Sequence, residues 1–239
     1  MERAMEHRVT LMEAMISTVN PNFIKLKENL SRLGKIRRYF ASYCQYSSRY
    51  DKFKEGVILN AFNPKLSNGS VMDIGIYTIY PMVALFGMPD SIQAEGVLLS
   101  NGFDGQGAVN FKYDKLDMTA TVLYSKIANS FLPSEIEGEE GTMMIDQIHI
   151  AQNVDFIPRI PTGQGQSQKA VRESLGSPLD KSPYYYEIKE FIDLVQEGKQ
   201  ISLINSWDTS LDTLRVIDEI RRQLGVTYEA DVYELTSKL

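Results

Sequence analysis

Asp73 and Tyr77 stand four residues apart in the run Gly69-Ser70-Val71-Met72-Asp73-Ile74-Gly75-Ile76-Tyr77, which continues through Pro81 to Phe86-Gly87-Met88-Pro89. In a helix that spacing puts carboxylate and phenol on one face. An ionisable pair beside a glycine, which lets a ligand approach the backbone, suits proton-transfer chemistry. The residues alone leave a second reading open: a carboxylate favoured by the helix N-terminal dipole, above a tyrosine that packs into the core. Pro81 has no N–H, so the Tyr77 carbonyl loses its helical partner and becomes either a kink or a ligand contact.

The segment resembles the signature of the Gfo/Idh/MocA family of NAD(P)-dependent oxidoreductases, of the glucose-fructose oxidoreductase and dihydrodiol dehydrogenase type. There a glycine-rich turn leads into Asp-Ile-Gly-x-Tyr and a helix that closes on Phe/Leu-Gly-x-Pro. Three further stretches match, and the four come in family order: Met12-Glu13-Ala14-Met15 with Pro21 and Leu33-Gly34-Lys35-Ile36-Arg37 before the signature, and Ile136-Glu137-Gly138-Glu139-Glu140-Gly141-Thr142 after it. The resemblance implies that Tyr77 is the catalytic tyrosine and that Asp73 orients it or the substrate hydroxyl. It also places Glu13 with the substrate. Tyr43, Gln45, Tyr46 and Arg49 bring polar tips out of the following strand; they line a polyol cleft or simply form an exposed strand end.

Alcohol oxidation removes a hydride from carbon and a proton from oxygen; a nicotinamide takes the first and the protein must take the second. A free tyrosine titrates near 10, too high for an efficient base, and an adjacent ammonium lowers it. In the family that ammonium belongs to the lysine of a Glu-Lys-Pro motif, which this chain lacks. It also lacks G-x-G-x-x-G. Its glycine clusters, Asn101-Gly102-Phe103-Asp104-Gly105-Gln106-Gly107 and Gly163-Gln164-Gly165, have no strand before and helix after, as a dinucleotide loop requires. The chain by itself is therefore expected to be inactive and to bind neither NAD nor NADP. In the dihydrodiol branch the places of Ile16 and of Thr18-Val19 carry Trp and Arg-Phe, so the resemblance favours a sugar or polyol over an aromatic diol.

The elements that must position these residues are legible in the pattern. Asn20-Pro21 and Gly34 bracket a helix carrying Phe23, Leu26, Leu30 and Leu33. A β-like stretch covers 35–50, a polar connection 51–69, and at least four strands 91–158. One strand alternates from Leu116 to Tyr124 and another from Ile148 to Phe156; turns at Asn101-Gly102 and Asp114-Lys115 imply an antiparallel meander. A Gly/Gln/Ser/Pro-rich loop spans 159–183. Two helices follow, over 184–197 and 206–224, the second carrying Trp207, Leu211, Leu214, Ile217, Ile220 and Leu224.

Composition narrows the class. Of the 239 residues 43% are hydrophobic and 23% charged, enough for one large core, and the net charge of -6 is diffuse, which argues against nucleic acid. No apolar run reaches membrane-spanning length, and the charged N-terminus reads as the end of a helix begun upstream. A single cysteine, Cys44, fits a reducing, cytoplasmic setting, and no His, Cys or carboxylate cluster has metal-ligand spacing.

The expected fold is α+β: an open-faced, mostly antiparallel sheet backed by helices, resembling the C-terminal domain of glyceraldehyde-3-phosphate dehydrogenase. Residues 1–239 read as a substrate-binding and oligomerisation domain without its N-terminal NAD(P)-binding Rossmann domain. A half-apolar strand face with Thr119, Thr121 and Leu123 implies a homodimer through the sheet. Three other classes remain open on the residues: a non-catalytic binding or dimerisation module, a fragment cut from an active enzyme, and an NAD-dependent sugar hydrolase relative.

Overall fold

The computed structural model describes residues 1–160 and 171–231; the Gly163-Gln164-Gly165 cluster lies outside the described residues. Eight strands form one sheet: β1 Ile36–Cys44, β2 Ser91–Leu98, β3 Asp104–Tyr113, β4 Met118–Ser125, β5 Ser134–Gly138, β6 Gly141–Ile145, β7 Val154–Pro158 and a two-residue β8 Glu173–Ser174. Their order is β2-β3-β4-β1-β5-β6-β7-β8. The meander expected from the turns holds on either side of β1, which inserts at the centre, parallel to β4 and antiparallel to β5. Tyr39 and Ala41 of β1 are accordingly fully buried.

The helices are α1 Glu2–His7, α2 Pro21–Asn29, α3 Tyr50–Lys54, α4 Ile76–Phe86, α5 Pro183–Gln196 and α6 Trp207–Leu224. Their ends follow from local chemistry. The Asn20 side chain accepts the Asn22 N–H at 2.8 Å, Ser206 caps α6 by accepting the Thr209 N–H at 3.2 Å, and Gly34 and Gly225 take positive φ at the stops. Phe23 and Leu26 from α2, Ile79, Met82 and Val83 from α4, and Val216, Ile217 and Ile220 from α6 pack on Tyr39, Phe111, Val122, Ile136 and Met143 of the sheet in a single core. α4 rests on β1 and β4, α6 on α4 and β2, and α2 on β7.

Three expectations are corrected. In α6 the inward face is rotated: Thr213 and Val216 are buried while Leu211 and Leu214 stay exposed, because the helix must meet both α4 and β2. The strand starting at Ile148 begins only at Val154. Asp146 instead closes a loop, accepting the N–H groups of Gln147 at 2.8 Å and Gln152 at 3.1 Å and the Asn153 amide at 3.1 Å. Leu116 lies in the turn before β4, where Asp117 takes φ 52°. Among the described residues no helix is long and apolar enough to cross a membrane.

Candidate active site

The motif-bearing segment begins as a single π turn, Val71–Gly75, which runs straight into α4. The Ile76 N–H reaches back five residues to the Val71 carbonyl. Such wide turns recur at functional sites because they re-aim side chains without ending the helix. The turn is anchored from β3: Asp104 accepts the Val71 N–H at 2.8 Å, and the Ser70 hydroxyl donates to the Gly105 carbonyl at 2.8 Å. Gly75 has a packing role here, not the ligand-approach role read from the sequence. A Cβ at Gly75 would lie 3.1 Å from the Tyr124 ring, so the glycine lets the turn settle on β4. α4 continues through Pro81, and Tyr39 donates its hydroxyl to the neighbouring Thr78 carbonyl at 2.9 Å.

Asp73 and Tyr77 face one cleft of about 430 Å³, together with Tyr43, Gln45, Tyr46, Ser47, Ser48, Arg49, Ile74 and Lys126. Five of the six residues expected at the site thus converge. Glu13 does not line this cleft. It lies in an exposed stretch held by Asn205, whose amide donates to the Glu13 carbonyl at 3.0 Å, though its carboxylate still acts on Tyr77 through space. Ile16, Thr18 and Val19, at the positions that carry aromatic and basic residues in the dihydrodiol branch, are buried and do not line this cleft, and Thr18 hydrogen-bonds Asn205.

Lys126 was not foreseen. It follows β4 directly, its side chain only 7% exposed, and its ammonium forms an ion pair with the Asp73 carboxylate. The Nζ atom also sits 5.6 Å from the centre of the Phe62 ring, which stacks on Phe103 at 4.7 Å. Burial, and then Arg49, push the ammonium down to about 8; the paired carboxylate works against both. A polar residue just past an alternating strand was the available signal.

His149, released by the Asp146 loop, stacks flat on Tyr43 at 4.1 Å, and Tyr43 meets Tyr77 edge-on at 5.8 Å. Burial lowers the His149 pKa, with Asp146 opposing, so the ring is neutral near pH 7. The Tyr77 phenol is raised by burial first, then by Glu187, Tyr184 and Glu13. Cys44, half-buried at the end of β1, has its thiol pushed up by burial, in keeping with a packing role.

A model of the GFO/IDH/MocA C-terminal domain matches residues 24–144, a span that includes β1, the π turn, α4 and the Asp73–Lys126 pair. The chain belongs to the GFO/IDH/MocA family. Within it, the chain is 47% identical over 223 residues to scyllo-inositol 2-dehydrogenase (NADP(+)) IolU of Bacillus subtilis, covering 93% of this chain and 65% of that protein. It is 40% identical over 238 residues to the uncharacterized oxidoreductase YgjR of Escherichia coli, covering 97% of this chain and 67% of the relative. The chain therefore spans about two thirds of the length of these relatives. Solved structures share the fold: levoglucosan dehydrogenase, bound to NADH and levoglucosan, superposes with a TM-score of 0.73 at 16% identity, over 94% of this chain and 66% of that one. Aldose-aldose oxidoreductase from Caulobacter crescentus, complexed with glycerol, gives 0.71 at 19% identity, over 90% and 62%. The glyceraldehyde-3-phosphate dehydrogenase-like C-terminal architecture is that of the GFO/IDH/MocA family.

Proposed function

We propose that this chain is the substrate side of an NAD(P)-dependent oxidoreductase that exchanges a hydride between a nicotinamide and the carbinol carbon of a cyclic polyol, sugar or related hydroxyl compound. The observation that carries this reading is the convergence of Tyr77, Asp73, Tyr43, Gln45 and Arg49 on one cleft. In it, Tyr77 accepts the proton leaving the substrate oxygen as the carbonyl forms. Asp73 accepts a hydrogen bond from the reacting or neighbouring hydroxyl, and the Gln45 amide offers both donor and acceptor to the others. With Glu187 and Glu13 acting on it, the phenol needs a cation to become a base near neutral pH. The family resemblance assigns that cation to a lysine outside these residues.

The described residues do not fit the dinucleotide's phosphates. Gly102 turns the β2–β3 hairpin, and a Cβ at Gly105 or Gly107 would meet the Ile127 or Tyr124 side chain. Neither cluster position opens a helix, so no N-terminal dipole faces a phosphate there. The proposed cofactor, NAD or NADP, is held by an N-terminal Rossmann domain, and when bound it supplies the hydride acceptor. The NADP(+) dependence and scyllo-inositol substrate named for the IolU relative favour NADP and a cyclic polyol. A surface for that domain is at hand: on α5, Tyr184, Ile188, Phe191 and Val195 form an exposed apolar stripe, and Tyr184 lies close enough to act on Tyr77.

The enzyme at its natural length, given scyllo-inositol, aldoses or an aromatic diol with either nicotinamide, tests the reading. Reduced nicotinamide should accumulate with a polyol or sugar and not with the diol. An enzyme that oxidises none of these hydroxyl compounds would overturn it.

A further inference from the structure

We propose that Lys126 is a positioning residue for this site: its ammonium holds one oxygen of the Asp73 carboxylate so that the other is presented to the substrate hydroxyl. The role rests on the dehydrogenase reading above. Three observations of geometry carry it.

First, the ion pair is built asymmetrically. The Lys126 side chain is 7% exposed and that of Asp73 47%, so the cation lies beneath the carboxylate and the carboxylate faces the cleft. The bond runs from Nζ to Oδ2, and Oδ1 accepts no hydrogen bond from the described residues.

Second, Lys126 is fixed independently of Asp73. Its N–H donates to the Gly105 carbonyl at 2.9 Å, and its own carbonyl accepts the Ser47 N–H at 2.9 Å. These bonds clamp it between the start of β3 and the chain leaving β1. Its ammonium rests over the Phe62 ring, itself fully buried. A short aspartate on a wide turn has few constraints of its own; a lysine locked at both backbone groups supplies one.

Third, the same clamp carries the rest of the cleft. Ser47, bonded to the Lys126 carbonyl, adjoins Gln45, Tyr46 and Arg49, and Gln45 donates its N–H to the Ser125 carbonyl at 2.8 Å. The β4–β1 pair thus sets the distance between the substrate-facing tips and the turn bearing Asp73. A misplacement of about 1 Å in such an arrangement costs about 10²-fold in rate.

The test is steady-state kinetics on the enzyme at its natural length, with Lys126→Met, Lys126→Arg, Asp73→Asn and the double variant Lys126→Met/Asp73→Asn. Methionine keeps the apolar stem over Phe62, and a thermal melt of each variant confirms folding. Lys126→Met should lower kcat about 10- to 100-fold with little change in KM, because the carboxylate is mis-aimed while the cleft remains. Lys126→Arg should recover most of that loss. The double variant should be no slower than Asp73→Asn alone, since a lysine that acts through Asp73 has nothing left to position. Additive losses in the double variant, or Lys126→Met turning over as fast as the parent, would overturn the role while leaving the dehydrogenase reading intact. A parent enzyme inactive on every polyol and sugar would instead remove the reading, and the role with it.

Discussion

The Tyr77 phenol occupies its cleft in a state adverse to catalysis: burial and the nearby acids Glu187 and Glu13 hold it above its ordinary range. Of the two cations that line the cleft, Arg49 and Lys126, the second is committed to Asp73. In this chain alone Tyr77 should therefore stay protonated through pH 10. Ring-carbon NMR of labelled tyrosine, assigned with Tyr77→Phe, reads this directly; a midpoint below 10 would show that a cation of the cleft, Arg49 or Lys126, acts on the phenol more strongly than burial and the acids do. The Asp73–Tyr77 pair was legible in the sequence because its chemistry sits within one helical turn. Lys126 and His149 were not. Lys126 reaches Asp73 only because β4 lies beside β1 and under the π turn, and His149 reaches Tyr43 only because Asp146 breaks the expected strand. Contacts of that kind are set by sheet register and loop closure, which residue spacing does not encode.

At the scale of elements, the site hangs on the junction between β3 and the π turn. Asp104, fully buried, is the anchor, and burial pushes its carboxyl up to about 6 despite the Val71 N–H bond that opposes the shift. Its folded value lies above the ordinary 3.8, so its contribution to stability is complete below that value and is lost as pH rises to about 6. Relative to Asp104→Asn, the parent should lose stability across that window, on the order of 1–3 kcal/mol by denaturant melts. A pH-independent difference would remove the anchor from the titration. The glycines of 101–107 belong to the same junction. Being spent on hairpin and side-chain contacts, they leave this chain without a phosphate loop among its described residues, so calorimetry should detect no micromolar binding of NADH or NADPH; such binding would contradict their packing role. Most of the element pattern was legible, since caps and alternation are local. The insertion of β1 at the sheet centre was not, because a strand's neighbours are decided by the tertiary core.

For the whole molecule, the helices cover one face of the sheet and leave the other open. Across that face Asn110, Thr121, Phe40, Glu135 and Met144 align in one register row, with Leu123 and Ser42 in the next. Thr121, Phe40, Leu123 and Met144 are all part-buried already. A second copy presenting the same row would bury the apolar members twice over, and we expect a two-fold dimer through this face. Sedimentation velocity at micromolar concentration should show it, and a concentration-independent monomer would exclude it. The central claim, that this fold exists to bring a phenolic proton acceptor to a substrate hydroxyl, is tested most directly by one substitution. In the enzyme at its natural length, Tyr77→Phe keeps the ring against Tyr43 and removes only the hydroxyl. The account predicts a kcat about 10²–10⁴-fold lower with KM little changed, whereas turnover equal to the parent's would contradict it.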